Sequence, residues 1–301
     1  MKSFDYLLYG VIAFAWSTSW LPLKWQLGIV APEVSIFWRF LAAGTLMMCF
    51  AIWRGENLRL PFAIHIRIAV LSLFLFSCNF TMFYYGGLGV SSGLLAVVFS
   101  TASLMVLIIK SSIDREWPEF QLVIAVIFGI SGVSLIFLPE FGNGHAPLIS
   151  LVFCLIGTLI FSLGNILSGR LQSKKISVIT ANSWGMLYGA AFLAMISLLR
   201  GHSFMILPTW KYLGGLAWLS IISTVVAFTC YLTLVGRIGP GRASYITVIF
   251  PVMALFISQR AEAYEWTVFS VIGLILVIAG NTIMAKSAPI STPRSAPVQK
   301  P

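Results

Sequence analysis

Charge is what this sequence has least of. Only 9% of its 301 residues are Asp, Glu, Lys or Arg, while 59% are hydrophobic; soluble domains carry about 25% charged residues. Most of the chain therefore has no water-facing surface, which excludes a soluble enzyme, a disordered chain and an ordinary nucleic-acid binder. Reactive side chains are scarce as well. The four cysteines (Cys49, Cys78, Cys154, Cys230) lie inside apolar runs without metal-ligand spacing and read as small packing residues, not disulfide partners. The three histidines (His65, His145, His202) fall in or beside loops, so no Ser/His/Asp set shares a depth. There is no phosphate-binding P-loop and no HExxH. No Asp or Glu sits in the middle of an apolar run, which argues against a carboxylate relay for sodium or protons at the core. The expectation is no catalytic group, no cofactor and no metal; coupling is left to exchange, a substrate gradient or Glu33 near one rim.

What is present is length and apolarity. Ten apolar runs cover roughly 6–23, 32–53, 66–84, 94–109, 121–138, 148–168, 178–199, 212–234, 243–258 and 266–284. At about 20 residues per crossing they fill the chain and leave only short loops. Long continuous runs also exclude a β-barrel, whose strands alternate. The expected fold is an all-α polytopic membrane protein with ten transmembrane helices. The first run resembles a signal peptide only superficially: Trp16, Trp20, Pro22 and Lys24 stand where a cleavage site would be, so it reads as an uncleaved first helix.

Orientation follows from basic residues in short loops. With the N-terminus inside, fourteen Lys and Arg fall on the cytoplasmic side and four outside. The net charge of +10 thus places helix ends, with membrane lipid and not nucleic acid as the expected partner. Both termini should be cytoplasmic. The Pro/Ser/Ala-rich tail, 286–301, is expected to be disordered.

The chain repeats itself. Gly89-Val90-Ser91-Ser92-Gly93 and Gly239-Pro240-Gly241-Arg242-Ala243 precede the fourth and ninth runs at an offset of 150. Trp117 matches Trp266, Ile130-Ser131-Gly132 matches Ile278-Ala279-Gly280, and Trp38 matches Trp184, at offsets of 149, 148 and 146. Two five-helix halves, 1–140 and 148–285, are the expected domains. Five is odd, so the second half enters the membrane inverted, an arrangement that recurs in transporters that alternate access around a midplane site.

The wording of the helices points the same way. Phe14-Ala15-Trp16-Ser17-Thr18-Ser19-Trp20, then Pro32-Glu33 with Phe37-Trp38-Arg39-Phe40-Leu41-Ala42-Ala43, and later Pro251-Val252-Met253-Ala254, Glu262, Gly273 and Gly280, resemble the EamA type of the drug/metabolite transporter superfamily. The resemblance spans about 4–285. It implies a ten-helix carrier that moves small metabolites, with export the more common direction. The first half departs from the pattern: Thr101 stands where Pro251 stands in the second, and Asp114-Arg115-Glu116 replaces its tidy glutamate.

Polar and aromatic groups at membrane depth are the candidate substrate-binding residues. Arg39 is the one charge away from the ends of a run, roughly 10 Å in by helix rise; it either binds an anionic group or is structural, snorkelling or pairing with Glu33. Asn79, mid-span in the third run, and Asn182, early in the seventh, are buried amides that either bind a polar solute or join helices; Asn165 lies nearer the cytoplasmic end. Trp16, Trp184, Tyr231 and Tyr245 sit deep enough to line a cavity, or else pack. The candidate set is Trp16, Arg39, Asn79, Trp184, Tyr231 and Tyr245. The expected function is a secondary transporter, as monomer or weak homodimer in a bacterial inner membrane, exporting amino acids or related zwitterions by alternating access. A passive channel and a non-transporting membrane scaffold are the alternatives.

Overall fold

The structure is a computed structural model and describes residues 3–115, 120–143, 146–174, 176–248, 250–262 and 264–287. It is helical throughout, with no strand among the described residues. Eight helices are long and apolar enough to cross a membrane: α1 (Ser3–Lys24), α2 (Pro32–Trp53), α3 (Phe62–Gly86), α4 (Ser92–Asp114), α5 (Phe120–Phe137), α6 (Ala146–Gln172), α7 (Val178–Leu199) and α8 (Trp210–Ile238). After the short turns Pro240–Ala243 and Ser244–Val248 come α9 (Phe250–Glu262) and α10 (Val268–Ser287). Each helix closes its own backbone hydrogen bonds, as hydrocarbon requires. Most run a few residues beyond the apolar stretches, because polar end residues such as Arg170 and Gln172 still propagate the helix. The match region around Trp117 and the tail from 288 onward lie outside the described residues.

α2 and α7 show how local sequence sets these lengths. Each has 22 residues, and each ends in Arg-Gly, Arg54-Gly55 and Arg200-Gly201, with both glycines at φ +69°. Only glycine takes that left-handed position at no steric cost. The next amide then reaches back over the last turn: Glu56 N donates to Ala51 O at 3.0 Å, and His202 N donates to Ser197 O at 2.9 Å, closing Schellman-type caps. The two helices pack antiparallel. The end of α7 meets the start of α2 through an Arg200–Glu33 ion pair, and Thr180 near the start of α7 donates to Asn57 O, beyond the end of α2.

Close approach is bought with small residues. α5 and α10 cross where Gly132 faces Gly273: a Cβ on Gly132 would lie 2.6 Å from the Gly273 carbonyl oxygen. Ser103 of α4 donates to Asn281 of α10 at 2.6 Å. More widely, α2 packs on α7, α4 on α9 and α5 on α10, each against the helix five further on. α3 and α8 both pass through a π-helical segment, Phe74–Cys78 and Leu219–Val226.

Candidate functional site

The π segments place the site. A π turn adds a residue per turn, shifts the side chains that follow and loosens a carbonyl from its helical partner. In α3 the segment ends immediately before Asn79, which turns inward and is 2% exposed. In α8 it brings Ser223 and Thr224 to the same depth. Thr224 Oγ1 donates to Leu219 O at 2.7 Å, which turns the hydroxyl oxygen to accept from Arg39 Nε at 2.9 Å. Arg39 Nη2 donates to Ser223 Oγ at 3.2 Å, and Trp16 Nε1 donates to the Ser223 carbonyl at 3.4 Å.

These groups surround a cavity of about 50 Å³, walled by side chains of α1, α2, α3, α4, α6 and α8. In this conformation it has room for a water or two, not a metabolite. Its polar lining is Ser19, Arg39, Asn79 and Ser223; the rest is apolar and mostly aromatic. Trp16 meets Phe99, Phe161 and Phe228 edge-on at centroid distances of 6.0, 6.1 and 5.5 Å. Arg39 is 1% exposed, and its Cζ lies 4.4 Å from the Phe80 ring centroid, within cation–π range.

Of the six residues expected from sequence, Trp16, Arg39 and Asn79 line this cavity. Tyr231 adjoins it: its ring lies 4.9 Å from Trp16 and stacks on Phe161 at 5.8 Å. Trp184 stands apart, in a second cluster with His65 and Tyr188 (4.9 and 5.8 Å), its indole donating to Leu58 O at 3.1 Å. The side chain of Tyr245 lies outside the described residues. Asn182 is buried on α7 and is not among the cavity walls. Glu33 is paired with Arg200, so it is not the partner of Arg39. Residues not singled out from sequence complete the site: Ser223, Thr224, Phe161 and Phe228. A serine and a threonine in an apolar run carry no signal of their own; only the π turn aims them inward.

Polar staples close the two ends of the bundle. At one end Glu33, 1% exposed, accepts from Arg200 and from Tyr85 Oη at 2.8 Å, with His202 Nδ1 at 3.7 Å from its second oxygen. The Tyr85 hydroxyl and the Glu33 carboxylate hold the Arg200 pKa above its usual value. Nearby, Glu262 of α9 accepts from Ser92 N at 2.9 Å, capping α4, and Lys24 donates to the carbonyls of Gly87 and Val90. At the other end Arg237 donates to Asp5 at 2.6 Å, and Tyr9 donates to Arg242 O at 2.5 Å.

Helices long and apolar enough to cross a membrane, packed around a polar and aromatic chamber, are consistent with a membrane transporter. The chain belongs to the EamA-like transporter family, whose model matches it twice, over residues 4–138 and 148–285. It is 25% identical to Protein PagO of Salmonella typhimurium, over 95% of each chain. It is 24% identical to the Escherichia coli K12 protein named "uncharacterized inner membrane transporter YedA", over 81% of this chain and 80% of that one. Identity to the "uncharacterized transporter YoaV" of Bacillus subtilis is 24%, over 91% and 94%. A solved crystal structure shares the fold with a TM-score of 0.68 at 16% identity, covering 94% of this chain and 96% of its own.

Proposed function

We propose that the protein is a secondary carrier that exports small metabolites, amino acids or related zwitterions, by alternating access. The observation that carries this reading is the central cavity, in which a buried guanidinium, an amide and several aromatic rings from six helices converge between two separately stapled ends. Trp16, Arg39, Asn79 and Tyr231 form the binding group in this proposal. Ten helices cross the membrane as two inverted halves, 1–140 and 148–285. Three features support the inversion: the matched Arg-Gly caps on antiparallel α2 and α7, the paired π segments of α3 and α8, and the packing of helices on their counterparts. The Glu33 end faces outward and the Asp5 end faces the cytoplasm, with both termini inside the inner membrane, in keeping with the distribution of basic residues.

The cavity must widen to admit a solute, and the rings around Trp16 are the elements that would move. Rocking of the halves would break one staple, Glu33–Arg200 or Asp5–Arg237, while the other holds. The test is solute loss from proteoliposomes loaded with a mixed pool of amino acids and small metabolites, followed by mass spectrometry. Selective, saturable loss of one class is expected. Loss no greater than from protein-free vesicles across the pool would overturn the carrier reading.

A further inference from the structure

Arg39 sits at the cavity with no carboxylate to neutralise it. Among the described residues it takes part in no ion pair, and no Asp or Glu lines the cavity. Its contacts are neutral: the Thr224 and Ser223 hydroxyls, the Phe80 ring and the nearby Tyr84 hydroxyl. A guanidinium has five N–H donors, so these three hydroxyls leave at least two for a ligand. A buried cation in so apolar a place is costly unless an anion joins it. Asn79 Oδ1, also buried at the cavity, accepts no hydrogen bond among the described residues. A neutral amide offers an N–H donor one acceptor, but it offers an ammonium no countercharge.

A second, separate cavity has the same sign. At the Asp5 end a cavity of about 940 Å³ opens between α4, α6 and α8 and is lined by Lys110, Arg170, Arg237 and Arg242, with Asp114 the one acid among the described lining residues. Arg237 is paired with Asp5, but Lys110, Arg170 and Arg242 have no ion-pair partner among the described residues. A membrane protein needs basic loops on one side; it does not need them to converge on a cavity. Such a basic cavity concentrates anions at this end of the bundle.

From these two observations we propose that the central site recognises a carboxylate attached to an apolar or aromatic body, and that an α-ammonium group is dispensable. Arg39 pairs with the carboxylate. The rings of Trp16, Phe99, Phe161 and Phe228 take the body, and nothing charged meets the ammonium. The substrates then include deaminated monocarboxylates that an amino-acid carrier would reject. This rests on the carrier reading above and redraws its substrate class around the carboxylate.

Phenylalanine, 3-phenylpropionate and 2-phenylethylamine differ by one group each. Their binding to the purified full-length protein should be measured by calorimetry, with counterflow of the first two in proteoliposomes. The expected result is that 3-phenylpropionate binds at least as tightly as phenylalanine, and 2-phenylethylamine at least tenfold more weakly. Arg39→Gln should abolish the preference for acid over amine, while Arg39→Lys, which keeps the charge, should retain it in part and guards against a merely misfolded Gln variant. The proposal is overturned if the amine binds as well as the acid, if phenylalanine binds tenfold tighter than its deaminated analogue, if Arg39→Lys loses the preference while still folded, or if none of the three binds saturably. Phenylalanine flux without 3-phenylpropionate binding would sink this inference alone and leave the carrier standing.

Discussion

The crossing of α5 and α10 makes a quantitative demand on two glycines. An alanine at Gly132 would place its Cβ 2.6 Å from the Gly273 carbonyl oxygen and 2.9 Å from Val277 N, both backbone atoms that cannot rotate away. The helices must part, and overpacking of this kind costs about 1–3 kcal/mol. Alanine also returns roughly 0.8–1 kcal/mol of helix propensity over glycine, so Gly132→Ala should lose on the order of 1 kcal/mol net. Gly214 in α8 is the internal control: an added Cβ there meets nothing within 4 Å, so Gly214→Ala should gain the propensity alone, about 0.8–1 kcal/mol. The two variants should thus differ by about 2 kcal/mol, or roughly 3 °C in melting temperature for a chain of this size. Thermal unfolding of the detergent-solubilised protein, read by loss of the monodisperse peak, measures it. If Gly132→Ala is as stabilising as Gly214→Ala, the backbones are not in contact and the crossing described here is wrong.

Four further outcomes are expected. Asn281→Leu removes the acceptor of the Ser103 hydroxyl across α4 and α10 and should cost about 0.6–2 kcal/mol, read by the same melting assay. Trp16→Ala deletes a ring that touches Phe99, Phe161, Phe228 and Tyr231; it should destabilise by about 3–5 kcal/mol, while Trp16→Phe stays folded and transports more slowly in the proteoliposome assay. Glu33→Gln and Arg200→Gln should each change the exchange rate, and the double variant should be no worse than the more impaired single one, because both break one staple; additive rate losses would dissolve the pairing. A reporter that fluoresces only in the cytoplasm, fused after residue 301, should be bright, and a dark fusion would reverse the proposed orientation.

The helices were legible because hydrocarbon admits so few backbone solutions. Long apolar runs have to be helices, and those from Pro32 to Trp53 and from Val178 to Leu199 were readable to the residue, since proline opens the first and Arg-Gly closes both. The depth of Arg39 followed from counting helix rise. Its company did not, because Ser223 and Thr224 are 184 and 185 residues away and face it only through a π turn that leaves no mark in composition. Glu33 was visible as a carboxylate near a rim, but its partner Arg200 is 167 residues distant. Repeat arithmetic paired Trp38 with Trp184. α2 and α7 run antiparallel, so equivalent positions six residues beyond Pro32 and Val178 fall toward opposite ends, and one cavity does not gather both. Tyr231 was legible as deep; its stacking on Phe161 was not.

The duplicated Arg-Gly stop has a consequence for the resting state. Two helices end with the same chemistry at opposite faces, yet only one of the arginines found an acid. Arg200 is clasped by Glu33, whereas Arg54 has no ion-pair partner among the described residues. A perfectly symmetrical carrier would spend equal time open to either side. In the proposed carrier, Glu33 clasps Arg200 at one end and Asp5 clasps Arg237 at the other, and because the two clasps are not copies of each other they weight one population over its mirror image. On that proposal, the compartment that the empty protein faces is set at the clasps and adjustable there without touching the chamber.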